Sequence, residues 1–239
     1  MEREILEAPT VALGGQLWQR ILVRTHLITP ADDIKPLAQE YLGDVVREGD
    51  IVFVGEKVLS ITQGRLVKGW TIEPRPLARF LAGMVRKSPY GFGLRRPQVM
   101  EMAFREAGTL RILLASVVGG LGRLLGRSGD FYRVAGRRVA AIDGPNQFTI
   151  PPYNRYVVLS PKDPSGVARE LSKLLGTGVA IVDTNFVGSV VLGQSPGVDS
   201  KLVATLLRDN PMGQGWKRTP LGLLRPLGAD PATAAGAEP

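Results

Sequence analysis

An α+β fold, with mixed sheets and packed helices, is what this 239-residue sequence predicts. Three observations point there. Short apolar runs of strand length occur at Ile51–Val54 and Val179–Val182. Around them lie segments with helical spacing, opened by proline or by an aspartate placed to cap. The two kinds follow one another without the strict β-α-β alternation of a parallel fold. No internal repeat and no clean linker divides the chain. One domain is therefore expected over residues 1–228, followed by a disordered tail, 229–239, built only of Ala, Gly, Pro, Thr, Asp and Glu.

Taken in order, Leu17–Val23 alternates as a strand should, and Leu27–Asp33 reads as a loop. Asp32 or Asp33 is placed to cap a helix over Lys35–Tyr41. Gly49-Asp50 signals a turn before the buried strand Ile51–Val54. Pro74 and Pro76 open a helix over Leu77–Arg86, with Leu77, Phe80, Leu81 and Met84 on its apolar face. Ser88–Arg96 is loop-like, and Gln98–Glu106 resumes helical spacing.

Gly119, Gly120, Gly122 and Gly126 interrupt the next apolar stretch. They suit either a phosphate-facing loop or a buried, glycine-broken helix. Phe131–Ile142 reads as two short strands turning at Gly136. Tyr156–Ser160 is a β-type run, Ser165 starts a helix over Gly166–Leu175, and Gly176 closes it. A last helix covers Ser200–Arg208, ahead of a loop at Asn210–Pro220.

Apolar residues make up 44% of the chain and charged residues 22%, which excludes wholesale disorder. The absence of cysteine excludes disulfides, thiolate metal sites and thiol nucleophiles. A single histidine, His26, excludes a histidine-rich zinc site, and a packed or hydrogen-bonded role suits it better than that of a base. Met1–Pro9 is charged, unlike a secretory leader. Ile112–Leu121 falls far short of the ~20 residues that a membrane-spanning helix needs. A cytoplasmic protein without a membrane partner is expected.

The net charge of +8 gathers anions near a surface, and arginines crowd the segment from Arg105 to Arg138. These form either a solvated basic face or a contact for anions. Few aromatics are interleaved with them, so small anions fit better than single-stranded nucleic acid. Two aspartates stand at the ends of strand-like runs, Asp143 after Val139–Ile142 and Asp183 after Val179–Val182. Asn146 and Thr184 stand beside them. Oxygen-only donors of this kind suit Mg2+ or Mn2+, whose shells are completed by water and phosphate; a turn or helix cap is the alternative reading of each aspartate.

Four segments, in order, carry a family resemblance. Gly49–Val67 (GDIVFVGEKVLSITQGRLV) and Ile142–Asn146 (IDGPN) come first. Val157–Leu175 (VVLSPKDPSGVARELSKLL) and Ala180–Asn185 (AIVDTN) follow. Together they resemble the coenzyme F420 γ-glutamyl ligase family over about two-thirds of the chain.

The resemblance implies an F420 glutamyl-ligase-like α+β fold, a homodimer, and a GTP- and metal-dependent reaction that joins glutamate to a deazaflavin side chain through an acyl phosphate. It implies Asp143, Asp183 and Thr184 as metal ligands. Leu27, Ile28, Thr29, Pro30, Gly55, Glu56, Ser60 and Asn146 become nucleotide contacts, joined by the glycine-rich Met212, Gly213, Gln214 and Gly215.

The sequence also departs from the family. Asp183-Thr184-Asn185 runs into Phe186-Val187-Gly188-Ser189, with no arginine before Lys201. Arg123 and Arg127 are the candidates to replace that cation toward an anionic substrate. Gln63 stands where the family has glutamate. Gly193–Ser200 is shorter than its counterpart, and Tyr90–Gly129 has none. The rival readings are a non-catalytic homologue that binds a nucleotide or phosphometabolite and, behind it, a nucleic-acid-binding protein.

Overall fold

A computed structural model describes residues 3–85, 93–185, 187–213 and 215–229. The chain divides into two compact units. Residues 64–161 form one, and the flanking segments together form the other.

In the flanking unit, strand β1 (Glu4–Leu13) forms a hairpin with β2 (Gln16–Arg24). Helix α1 (Ile34–Leu42) follows, capped by Asp33, whose carboxylate accepts from the Lys35 N–H at 2.9 Å. Strand β3 (Ile51–Gly55) runs directly into helix α2 (Glu56–Thr62).

The inserted unit opens with the short strand β4 (Leu66–Lys68). Helices α3 (Pro76–Met84), α4 (Pro97–Ala107), α5 (Thr109–Leu124), α6 (Asp130–Ala135) and α7 (Arg137–Ala140) come next. Strand β5 (Tyr156–Val158) then pairs antiparallel with β4. The flanking unit resumes with helix α8 (Pro164–Leu175), capped by Asp163 and closed by Gly176 in the left-handed conformation. It ends with β6 (Gly178–Asn185), β7 (Gly188–Gln194), helix α9 (Ser200–Leu206) and β8 (Leu221–Ala229).

Among the described residues the flanking unit holds a six-stranded sheet in the order β1-β2-β8-β3-β6-β7. Only β3 and β6 run parallel; the other neighbours are antiparallel. Phe53, Ala180, Val182 and Leu224 bury one face together with Trp18, Leu22, Val203 and Leu206. The alternate residues Val52 and Val54 are buried too, so these strands are covered on both sides. That explains why β3 and the body of β6 read as continuous apolar runs. The inserted unit has its own core, in which Val99, Met100, Phe104 and Ile112 pack with Leu81, Val139 and Val157.

Several expectations need correction. Phe131–Ile142 is two short helices and no strand pair. Its apolar residues Phe131, Val134, Ala135, Val139 and Ile142 recur at helical spacing, and Gly136 (φ 96°) breaks the run between two helices. In α3 the buried residues are Ala78, Leu81 and Ala82, while Phe80 and Met84 are exposed.

The glycines of α5 do not break it, and its outer face is not buried. A Cβ at Gly119 would lie 2.9 Å from Phe131 Cβ, and one at Gly122 would lie 2.2 Å from Asp130 Oδ2. These glycines let α6 press against the helix. Asp183 does not end its strand, which continues through Asn185 into a hairpin with β7. The expectations for residues 86–92, which include the end of the helix expected to reach Arg86, and for residues 230–239 lie outside the described residues. No single helix among the described residues is long and apolar enough to cross a membrane.

Candidate functional site

One rim of the six-stranded sheet collects most of the expected site residues. Val23 of β2 and Val54 of β3 both face Leu221, and Gly55 faces Val182. The end of β2, the ends of parallel β3 and β6, and the start of β8 therefore share one edge. The loop 25–33, the β3–α2 junction, the β6–β7 turn and the loop before β8 all leave from it. Leu27–Pro30, Gly55, Glu56, Ser60, Asp183, Thr184, Met212, Gly213 and Gly215 are carried on these segments, while Gln214 lies outside the described residues. In open sheets, ligands bind outside the carboxyl ends of parallel strands.

The loop before β8 is folded onto the end of β3. The Gly55 N–H donates to the Pro220 carbonyl at 2.8 Å, and the Thr219 hydroxyl donates to the Met212 carbonyl at 2.7 Å. A Cβ on Gly55 would sit 3.2 Å from Met212 Cε, so glycine permits this close approach. Glu56 and Ser60 are buried. The Ser60 hydroxyl has no hydrogen-bond partner among the described residues. A buried hydroxyl without a partner fits a ligand oxygen, since leaving it unmatched is costly.

The loop 25–33 is held by its own side chains. Asp32 accepts from the Thr29 N–H at 2.6 Å, from the Thr29 hydroxyl at 2.9 Å, and contacts His26 Nε2 at 3.1 Å. Burial pushes the Asp32 carboxyl up, but the Thr29 donors and His26 outweigh it and hold it below its ordinary value. The other ring nitrogen of His26 meets the Tyr41 hydroxyl at 2.9 Å. His26 is thus built into the scaffold, as a lone histidine was expected to be. In β6, the Thr184 hydroxyl lies 2.8 Å from that of Ser189, a neighbour the sequence gave no reason to single out.

The remaining candidates belong to the inserted unit. Asp143 exchanges backbone hydrogen bonds with Val158 (2.9 and 2.8 Å), which adds it to the edge of the β4–β5 ribbon. The Asn146 side-chain amide oxygen, Oδ1, accepts from Phe148 N, Thr149 N and the Thr149 hydroxyl, so it organises its own loop. Arg127 pairs with Asp130 at 3.2 Å, alongside Arg133 at 2.8 Å, while Arg123 is exposed and makes no ion pair among the described residues.

Other arginines of the inserted unit neutralise acids within it. Arg65 meets Glu106 at 2.7 Å, and Glu101 takes both Arg75 and Arg105. No three acidic or imidazole side chains gather as a metal cluster among the described residues. A hard cation held by two carboxylates, a hydroxyl and substrate phosphate does not require one.

The chain belongs to the F420-0:gamma-glutamyl ligase family, whose signature spans residues 22–187. That span runs from β2 through β6 and the whole inserted unit, leaving Met212–Gly215 outside it. A curated relative, the coenzyme F420:L-glutamate ligase of Methanopyrus kandleri, is 30% identical over 165 residues. The match covers 67% of this chain and 56% of the relative, so the chain spans just over half of the relative's length.

Gln63, the departure from the family's glutamate, has a physical explanation. Its amide nitrogen donates to the Lys162 carbonyl at 2.9 Å, and its amide oxygen accepts the Lys162 N–H at 2.7 Å. A carboxylate would keep the second bond and lose the first. Gln63→Glu is expected to cost about 1 kcal/mol, read as a shift of the denaturant midpoint at unchanged slope. An unchanged midpoint would mean that the pair contributes nothing.

Proposed function

We propose that this chain is a metal- and GTP-dependent amide ligase that adds glutamate or another amino acid to an acidic acceptor, such as a deazaflavin side chain. Family membership carries the reading, supported by the gathering of the expected contacts on one sheet rim. A carboxylate of the acceptor attacks the γ-phosphorus of GTP, and the bond to the β-phosphate oxygen breaks to release GDP. The incoming amine then attacks the acyl phosphate, loses a proton, and expels phosphate to leave an amide.

The chain's part is to position and to neutralise. Backbone N–H groups near Gly55 and Gly213 and the Ser60 hydroxyl face phosphate or nucleoside oxygens, with Leu27–Pro30, Glu56 and Asn146 completing the pocket. Asp143, Asp183 and Thr184 hold Mg2+ or Mn2+, which supplies charge stabilisation to the transferring phosphoryl group. Arg123 and Arg127 meet the anionic acceptor. No protein nucleophile is needed, which agrees with a chain that has no cysteine. A cytoplasmic location and a homodimer complete the proposal, the homodimer on the resemblance alone.

Calorimetric titration of GTP with and without Mn2+ tests the reading. Binding is expected only with metal, and Asp183→Ala should weaken it by about 100-fold. Phosphate release with glutamate and acidic acceptors should follow. No GTP binding under any condition defeats the proposal. The absence of arginine between Asn185 and Lys201 favours one rival, a homologue that binds nucleotide without turnover. That rival predicts metal-dependent binding with no phosphate release from any acceptor. The nucleic-acid reading predicts metal-independent affinity that falls steeply with salt.

A further inference from the structure

The charge of the chain is divided unequally between its two units. Residues 64–161 hold sixteen Lys and Arg against five Asp and Glu, whereas the rest hold fourteen against seventeen. Within the basic unit, Glu101, Glu106 and Asp130 are already taken by arginines. Two exposed cations that make no ion pair among the described residues, Lys68 and Arg155, stand at one end of the β4–β5 ribbon, where Lys68 pairs in register with Tyr156.

Trp70 lies in the turn that follows β4, residues Gly69–Thr71, and is 58% exposed. The guanidinium carbon of Arg155 sits 5.1 Å from the centre of its ring. Tyr156 meets the indole edge-on, with centroids 5.5 Å apart, and the buried Tyr153 backs Tyr156 at 6.0 Å. The ring is therefore buttressed and still open to solvent. The turn does not need an indole. The Thr71 hydroxyl donates to the Lys68 carbonyl at 2.9 Å, and Gly69 allows close approach of its neighbours. A Cβ on Gly69 would lie 2.7 Å from the Arg155 carbonyl oxygen and 3.1 Å from Pro145 Cγ.

A large ring kept in water contributes little to burial. Held beside unpaired cations, it is a stacking platform for a planar ring that carries negative charge. The platform also adjoins the proposed metal loop, because Pro145 belongs to the segment with Asp143 and Asn146. Val158, the bridge partner of Asp143, and Tyr156 are alternate residues of β5, about 7 Å apart.

We propose that Trp70, buttressed by Arg155 and Tyr156, is the subsite on which the planar ring of the acceptor stacks, with Lys68 and Arg155 meeting its anionic groups. The inference rests on the amide-ligase reading above. It gives the acceptor a chemical class: a flat heteroaromatic ring joined to an acidic chain that reaches the Asp143 loop.

Flavin mononucleotide is the probe, with riboflavin as the control without phosphate and ribose 5-phosphate as the control without a ring. Titrated into the full chain, the flavin should bind with quenched emission. Trp70→Ala should weaken that binding about tenfold, and Trp70→Phe should recover part of it. Lys68→Gln should weaken flavin mononucleotide severalfold and leave riboflavin unchanged. Manganese-dependent GTP binding should stay within twofold in Trp70→Ala. Absence of flavin binding, binding indifferent to Trp70→Ala, or equal competition by ribose 5-phosphate overturns the proposal. A tenfold loss of GTP affinity in Trp70→Ala also overturns it, because the platform would then serve the nucleotide base. So does a dimer, measured by sedimentation equilibrium, that Trp70→Ala dissociates. If GTP never binds while flavin binding tracks Trp70, the ligase reading falls and the ring platform stands; the reverse pattern removes the platform alone.

Discussion

Replacing Glu101 with alanine is expected to cost about 1–3 kcal/mol, because it removes the buried acceptor of two arginines that are themselves 39% and 48% exposed and find water in part. The Glu101 side chain is only 4% exposed. It accepts Arg75 Nε at 2.9 Å, Arg75 Nη2 at 2.9 Å, the Arg75 N–H at 3.1 Å and Arg105 Nε at 3.1 Å. Arg75 also stacks over Phe104 in the core of that unit. The melting temperature should fall by roughly 2–12 °C. A fall of less than 2 °C would show that the arginines find solvent instead.

The same carboxylate sets a pH dependence. Burial raises its affinity for a proton, but the Arg75 side chain and N–H, with Arg105, outweigh burial and hold it below its ordinary range. Its contribution is therefore fully present above the unfolded value of about 4.3, and is lost as pH falls through the lower folded value. The stability difference between the native chain and Glu101→Gln should be constant from pH 7 to pH 5 and shrink below that. A difference that grows on acidification would reverse the assigned sign.

Gly222→Ala is expected to be the most damaging change in the sheet, at about 3 kcal/mol or more. Gly222 lies in β8 between Leu22 of β2 and Phe53 of β3. A Cβ there would be 2.3 Å from the Ile21 carbonyl oxygen and 2.3 Å from Phe53 Cζ, and Phe53 is fully buried. Backbone on one side and a locked ring on the other leave nowhere to move. Because β8 starts at the rim beside Gly55, GTP binding should weaken along with the melting temperature. Adding Phe53→Leu should recover part of the stability. No recovery would assign the whole cost to the Ile21 carbonyl.

What could be read from sequence follows from local physics. Helix α1 and its Asp33 cap, the α8 start and its Gly176 stop, and the buried strand β3 each announce themselves within a few residues. Strands β1, β7 and β8 did not. The first two are half exposed, and β8 carries Gly222 and Pro226, residues that read locally as turn or loop. The two helices across 130–140 were misread because short apolar spacings around a glycine serve strand and helix alike.

The rim residues were legible only through the family motifs. No local rule says that Met212 lies against Gly55, because that neighbourhood is made by a strand pairing distant in sequence. The division of charge between two units was equally hidden, since it needs the boundaries at 63/64 and 161/162.

Those boundaries have a consequence for how the chain is made. Residues 64–161 are uninterrupted, and the core around Phe104 draws only on them. All the residues of that core leave the ribosome before β6 and β8 do. Strand β3 emerges earlier but cannot complete its sheet, because Ile51 must wait for Gly178 on one side and Leu224 on the other. Sheets that close over such a distance form slowly, and their exposed apolar strands are the usual route to aggregation during synthesis. The guest is finished before its host. Until Leu224 is synthesised, the fully buried Val52, Phe53 and Val54 are the part of the nascent chain most in need of a chaperone.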